Sequence, residues 1–340
     1  MAAAEEAAPF DKAAYIREAI SVMQARALNA GQVDWAAVEA EALTREAGAR
    51  DDIDMLDTIV WMLTQLGDNH SFPQIARDRL ALYQERYNAM PWPPYVPRDM
   101  VSTFMERSEP SVTMMRYRGR NIAHVVVPQR RNASVEVLNA YAQTLFDGLD
   151  VNRRACGFVV DLRGNTGGNS WPMLTGLSPL LGQGRIGGSQ APGFDDGSWL
   201  RGGELWSSDR GEEMRLFTFE GWRASPDLSR APVAVLIDDA TGSSGESTAL
   251  AFRGRANTRH FGIHTAGAST ATQGFMLSDG TNLVIATDVM TDRNGVPYPR
   301  GLEPDVEVDP TGASEGKPDH AMAAALAWLR AQRGCRGIFG

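Results

Sequence analysis

The stretch "GFVVDLRGNTGGN", residues 157–169, passes in one step from an apolar run to a glycine loop. A short run that is apolar at consecutive positions reads as a strand buried on both faces, which is how parallel strands sit between layers of helices. Glycines just past its end let backbone approach backbone or a reacting group closely. Two further stretches, "NIAHVVVP" (121–128) and "VAVLIDD" (233–239), repeat the apolar run, and "SVEVLNAYAQTLFDGL" (134–149) between the first two is an amphipathic helix. Strand, helix and strand in turn predict an α/β core with parallel pairing. The Gly-, Trp- and Asp-rich stretch 182–213 has weak periodicity and is expected to be an irregular insert, a lid or pocket wall.

Upstream the period changes. Residues 11 to 90 repeat apolar positions at three and four; in "DIDMLDTIVWMLTQLG", Met55, Leu56, Ile59, Val60, Leu63 and Leu66 form one stripe that Gly67 ends. This predicts a helical bundle. "MPWPPYVPRDM" (90–100) holds four prolines, which fix φ and remove donors, so a boundary falls there. The expected domains are 1–92, helical, and 93–340, α/β.

Composition narrows the function classes. With 340 residues, 43% hydrophobic and 22% charged, the chain is long enough for one large core and a smaller one. A net charge of -9 with no Lys/Arg block argues against nucleic acid. No run approaches the ~18 apolar residues of a membrane span. The first twenty residues lack the basic and apolar regions of an export signal, so the expected location is cytoplasmic as written, or exported if a leader has been removed. Cys156 and Cys335 match no metal-ligand spacing and are expected to be ordinary thiols, with a single bridge between them as the alternative.

Between an apolar strand and a helix lies "TGSSGE" (241–246), a bend able to aim a hydroxyl and backbone N–H groups at one point. With "LGDNHSF" (66–72), "DLRGNTGGN" (161–169), "FGIHTAGAS" (261–269), "LSDGTNLVIATDVMTDRNG" (277–295) and "GLEPDVEV" (301–308), it resembles, in order, the serine peptidases of the C-terminal-processing (tail-specific) and tricorn-core family. That family also includes the interphotoreceptor retinoid-binding protein.

The resemblance implies a ClpP/crotonase-like core and makes Ser243 the nucleophile, with Ser244 as the alternative. One branch of the family uses a lysine base where this chain has Ala268. The only lysines are Lys12 and Lys317, both outside the motifs, so a Ser/Lys dyad is not available and the base implied is His70. The other histidines, His124, His260, His264 and His320, are set aside. Glu246 is the acid candidate, either orienting His70 or holding the helix N-terminus; Asp68 and Asn69 are further orienting candidates. Tyr298 stands where the tricorn branch has a glutamate. The oxyanion would be held by the backbone N–H of Gly167 and of Ser244.

The interval 72–121 is too short for a PDZ domain of ~90 residues. The expected activity is endopeptidase cleavage of peptides or unfolded segments through an acyl-enzyme, with no metal or cofactor. A non-catalytic protein holding an apolar ligand or a peptide on the same scaffold is the alternative. Oligomeric state is left open.

Overall fold

The three apolar runs are neighbouring parallel strands, as burial on both faces demands. A computed structural model of the chain describes residues 10–91, 104, 107–224, 227–309 and 318–336. The chain divides into two compact units, Met1–Pro97 with Ala271–Asp288, and Arg98–Thr270 with Val289–Gly340. The proline-rich stretch read as a boundary lies, from residue 92 onward, outside the described residues.

In the larger unit, Val306–Glu307, Thr258–Gly262, Val233–Ile237, Gly157–Asp161, Arg120–Val126 and Ser111–Tyr117 form one sheet in that order. All pairs are parallel except the last, which is antiparallel. Side chains alternate between its faces. Phe158, Val160, Val233 and Val235 pack on one side with Leu138, Leu145 and Phe146 of the Val135–Val151 helix. Val159, Ala234 and Leu236 pack on the other with Ala325 and Leu329 of the His320–Ala331 helix. A doubly covered parallel sheet of this kind leaves the loops after its strands free to build a site.

Two expectations are corrected here. The stretch 182–213 is ordered: Gly184–Ala191, Phe194–Arg201, Glu204–Asp209 and Glu212–Thr218 are consecutive antiparallel strands. Ile186, Leu200, Leu205 and Phe217 anchor this meander in the core. Cys156 and Cys335, expected to be free, form a disulfide that ties the end of the last helical segment to the base of Gly157–Asp161.

The smaller unit has helices Lys12–Arg26, Trp35–Arg45, Leu56–Thr64 and Arg77–Tyr87. Asp11 and Asp34 cap the first two, accepting from Ala14 and Ala37 N–H at 3.0 and 3.1 Å. Of the predicted stripe, all but Val60 are buried. These helices are not a bundle by themselves. Their core takes in Leu277, Leu283 and Ile285 from the 271–288 segment, and Phe72–Gln74 pairs with 282–284. Arg79 fastens that segment through Asp279 and Thr281, and also reaches Asp52.

Candidate active site

In the larger unit two bends are locked together. Asp238, wholly buried, ends its strand by accepting from Gly164 N–H at 3.0 Å, from Ala240 N–H at 3.2 Å and from Thr241 Oγ1 at 3.1 Å. Gly242 N–H donates to Asn165 O at 3.0 Å, and Asn165 Nδ2 donates to Val127 O at 2.8 Å. The loop after one parallel strand is thereby fixed against the turn after its neighbour.

Ser243 stands at the apex of the second bend, as N-cap of the Ser244–Leu250 helix, with φ 51° and ψ -115°. A left-handed backbone at a residue with a Cβ costs about 1–3 kcal/mol and persists only where surroundings impose it. Here they do so through Glu246. Its Oε2 accepts Ser243 N–H at 2.9 Å, while Oε1 accepts Thr265 Oγ1 at 2.6 Å and Gly267 N–H at 2.9 Å. Glu246 is fully buried, and that burial raises its carboxyl to about 6 against the lowering effect of these hydrogen bonds. Of its two anticipated roles, holding the helix start is the one these contacts perform.

The two serines of the bend differ. Ser244 is buried and its Oγ donates to Gly168 O at 2.8 Å, a bond that fastens the glycine loop. Ser243 is half-buried. Gly167, at φ 112°, lies against it: a Cβ there would come within 2.7 Å of Ser243 Cβ and 3.2 Å of its Oγ, so only glycine fits. The Gly167 N–H, read as an oxyanion donor, donates to Asn165 Oδ1 at 3.0 Å. Gly168 is bridged to Arg130 by bonds from Arg130 N–H to Gly167 O and from Asn169 N–H to Arg130 O. Neither uses the Gly168 N–H. Asn165 and Gly168 were not singled out from sequence, although both lie inside the quoted motif.

Asp161 and Arg163 brace this loop. Arg163 grips Asp161 with two bonds of 2.8 Å and Asp319 with two of 2.9 Å. Arg107 and His124 also reach Asp161, at 2.8 and 3.1 Å. Burial alone would raise the Asp161 carboxyl; the charge and hydrogen bonds of Arg163 overcome it and hold the group well below the usual range. His124, His260 and His264 thus have structural partners: Asp161, Ala249 O and Thr265 O. Ala268 is buried, and Tyr298 O accepts from Ser269 Oγ.

In the smaller unit, His70 follows the left-handed Gly67. Asp68 shapes the loop as an Asx turn: Oδ1 accepts His70 N–H at 2.9 Å and Ser71 N–H at 2.6 Å, and Oδ2 accepts Ser71 Oγ at 2.8 Å. Ser71 Oγ in turn accepts Ala286 N–H at 3.0 Å. Asp68 therefore positions the backbone on which His70 is mounted. Asn69 is exposed. No group of three or more metal-ligating side chains occurs among the described residues, and no described helix is long and apolar enough to cross a membrane.

A family model, Peptidase family S41, matches residues 121–308. The nisin-resistance protein of Lactococcus lactis subsp. lactis is 33% identical over 199 residues, 56% of this chain and 55% of that protein, so the match spans about half the relative's length. Among solved structures, a lipoprotein from Streptococcus agalactiae aligns with TM-score 0.66 at 19% identity, covering 95% of this chain and 97% of that one. The photosystem II D1 C-terminal processing protease aligns with TM-score 0.56 at 14% identity, covering 96% and 99%. At such identities the two structures speak for a shared fold.

Proposed function

The chain belongs to peptidase family S41, and from that membership we propose that it is a serine endopeptidase that cuts peptides or unfolded segments. Ser243 is the proposed nucleophile and His70 its base. The observation that carries this reading is the backbone of Ser243, held at positive φ on a helix N-terminus by a buried carboxylate and pressed against Gly167. A strained serine at a helix N-terminus beside a glycine loop is the arrangement that acyl transfer requires.

In the proposed reaction His70 takes the Ser243 proton as Oγ attacks the carbonyl, the amine leaves with that proton, and water then hydrolyses the acyl-enzyme with His70 again as base. The Ser244 N–H serves the oxyanion together with a glycine amide of the 167–168 pair. Gly168 suits this better at rest, because the Gly167 N–H is engaged by Asn165.

Incubation with a reduced, alkylated protein and mass analysis of the fragments tests this reading. Internal cleavage that vanishes in Ser243→Ala supports it, and fragments formed equally by the variant refute it. Because a relative is named for nisin resistance, nisin is the first defined peptide to try. A histidine base must be neutral to take a proton, so the proposed base predicts activity that is lost toward acid pH. The Cys156–Cys335 disulfide supports a location in an oxidising compartment, outside the cytoplasm. Protein isolated from its own cells without reductant should then show no free thiol.

A further inference from the structure

The parallel strands of the larger unit start at one end of the sheet and present Ser243 and the glycine loop beyond the other. Three separate segments meet at the starting end. The hairpin joining Ser111–Tyr117 to Arg120–Val126 carries Arg116, Arg118 and Arg120. The link from the Val135–Val151 helix to Gly157–Asp161 carries Arg153 and Arg154, and the segment after the His320–Ala331 helix carries Arg333 and Arg336. Cys156 N–H donates to Asn121 O at 2.9 Å, Arg120 Nη2 donates to Arg336 O at 2.7 Å, and the Cys156–Cys335 disulfide joins the second segment to the third. Because the arginines come from three segments, no block of them stands in the sequence.

All of these but the half-buried Arg120 are exposed. Among the described residues, the acid that pairs with one of them is Asp150, which meets Arg153 at 3.2 Å and is shared with Arg223 at 3.0 Å. Arg223 also takes Asp147, one turn back on the same helix, at 2.7 Å. This end is therefore basic in a chain whose net charge is -9. Apolar groups are exposed beside the arginines. Val151, the last residue of its helix, is 80% exposed, and Met114, on the same face of its strand as Arg116, is 42% exposed. The helix end lies on that strand: a Cβ on Gly148 would come within 2.5 Å of Val112 Cβ.

We propose that this end of the larger unit docks on an anionic lipid surface. Guanidinium groups match phosphate oxygens bidentately, and each cation close to an anionic bilayer strengthens binding about 5-fold. Val151 and Met114 gain by entering the boundary between headgroups and acyl chains, whereas a nucleic-acid backbone offers them only charge. They select lipid between the two polyanions. Docked this way, the protein holds the far ends of its parallel strands, and with them Ser243, away from the surface.

Flotation of the full chain with lipid vesicles tests the proposal. Vesicles of equal parts phosphatidylglycerol and phosphatidylcholine should retain the protein at low salt. Retention should be at least about 10-fold weaker on phosphatidylcholine alone, and on the mixed vesicles in ~0.5 M NaCl, where the charges are screened. The double variants Arg116→Gln/Arg118→Gln and Arg153→Gln/Arg154→Gln should each lose at least about 10-fold with circular dichroism unchanged; they alter different segments, so a folding defect in one does not decide the outcome. Val151→Ser should lose about 3-fold. A short DNA duplex at equal phosphate concentration should not displace the protein from the mixed vesicles. No retention by those vesicles, equal retention by neutral ones, indifference to salt, to either arginine pair or to Val151→Ser, or displacement by the duplex would each overturn it. The readout needs no turnover, so its result is independent of the role of Ser243.

Discussion

The turns that present Ser243 and His70 are built to different standards. The serine bend is over-determined: Asp238, Glu246 and Asn165 are all fully buried, and between them they engage its backbone and the neighbouring glycine loop. In the histidine loop a partly exposed carboxylate, Asp68, gathers two N–H groups and one hydroxyl. Backbone strain explains the difference. A left-handed serine needs surroundings that impose it, whereas the His70 backbone needs only a turn. The position of the proposed nucleophile is thus a property of the core, and that of the proposed base a property of a surface loop.

Three variants can break or sharpen this contrast. The largest effect on stability is expected at Arg163. Arg163→Ala leaves Asp161 buried with its main partner gone and should cost about 3–5 kcal/mol in urea unfolding. A loss below about 1 kcal/mol would show that the loop does not depend on this pair.

Next comes Glu246. Its carboxyl is raised in the folded state from 4.5 to about 6, so the native protein holds this proton more tightly than the unfolded chain. Its contribution to stability is therefore full below about pH 4.5 and is lost as pH rises through about 6, by about 2 kcal/mol. Glu246→Gln should remove that slope from the profile of stability against pH. An unchanged slope would mean that the burial of Glu246 is not what sets it.

The smallest effect on stability is expected at Asp68. Asp68→Ala should cost about 1 kcal/mol while lowering proteolysis about 100-fold, as displacement of a catalytic group by an ångström does. Equal and small losses in both would show that the loop does not position His70 for catalysis.

Much of the larger unit could be read from the chain itself. Runs such as "GFVVD" and "VAVLI", apolar at almost every position, have one stable use, between two helical layers. The ordered motifs pointed to the family that the family model also finds. What could not be read depended on distant partners. "GRIGGSQA" and "FDDGSWLR" lack alternation because their glycines answer to close neighbours: a Cβ on Gly188 would lie 2.0 Å from Asp196 O. The disulfide closes 179 residues, a separation that no local pattern announces. Residues 271–288 join the smaller unit because Leu277, Leu283 and Ile285 complete its core, and their spacing alone fits either partner. Within the site, the glycines of "NTGG" were visible, but the bond from Gly167 N–H to Asn165 was not, since it depends on how one side chain folds back.

The central claim is that Ser243 is an activated nucleophile with His70 as its base. Fluorophosphonate labelling of the intact protein beside Ser243→Ala and His70→Ala tests it most directly. The account predicts labelling of the intact protein, none in Ser243→Ala, and at least about 100-fold slower labelling in His70→Ala. An intact, folded protein that does not label, or labels equally in both variants, would contradict it.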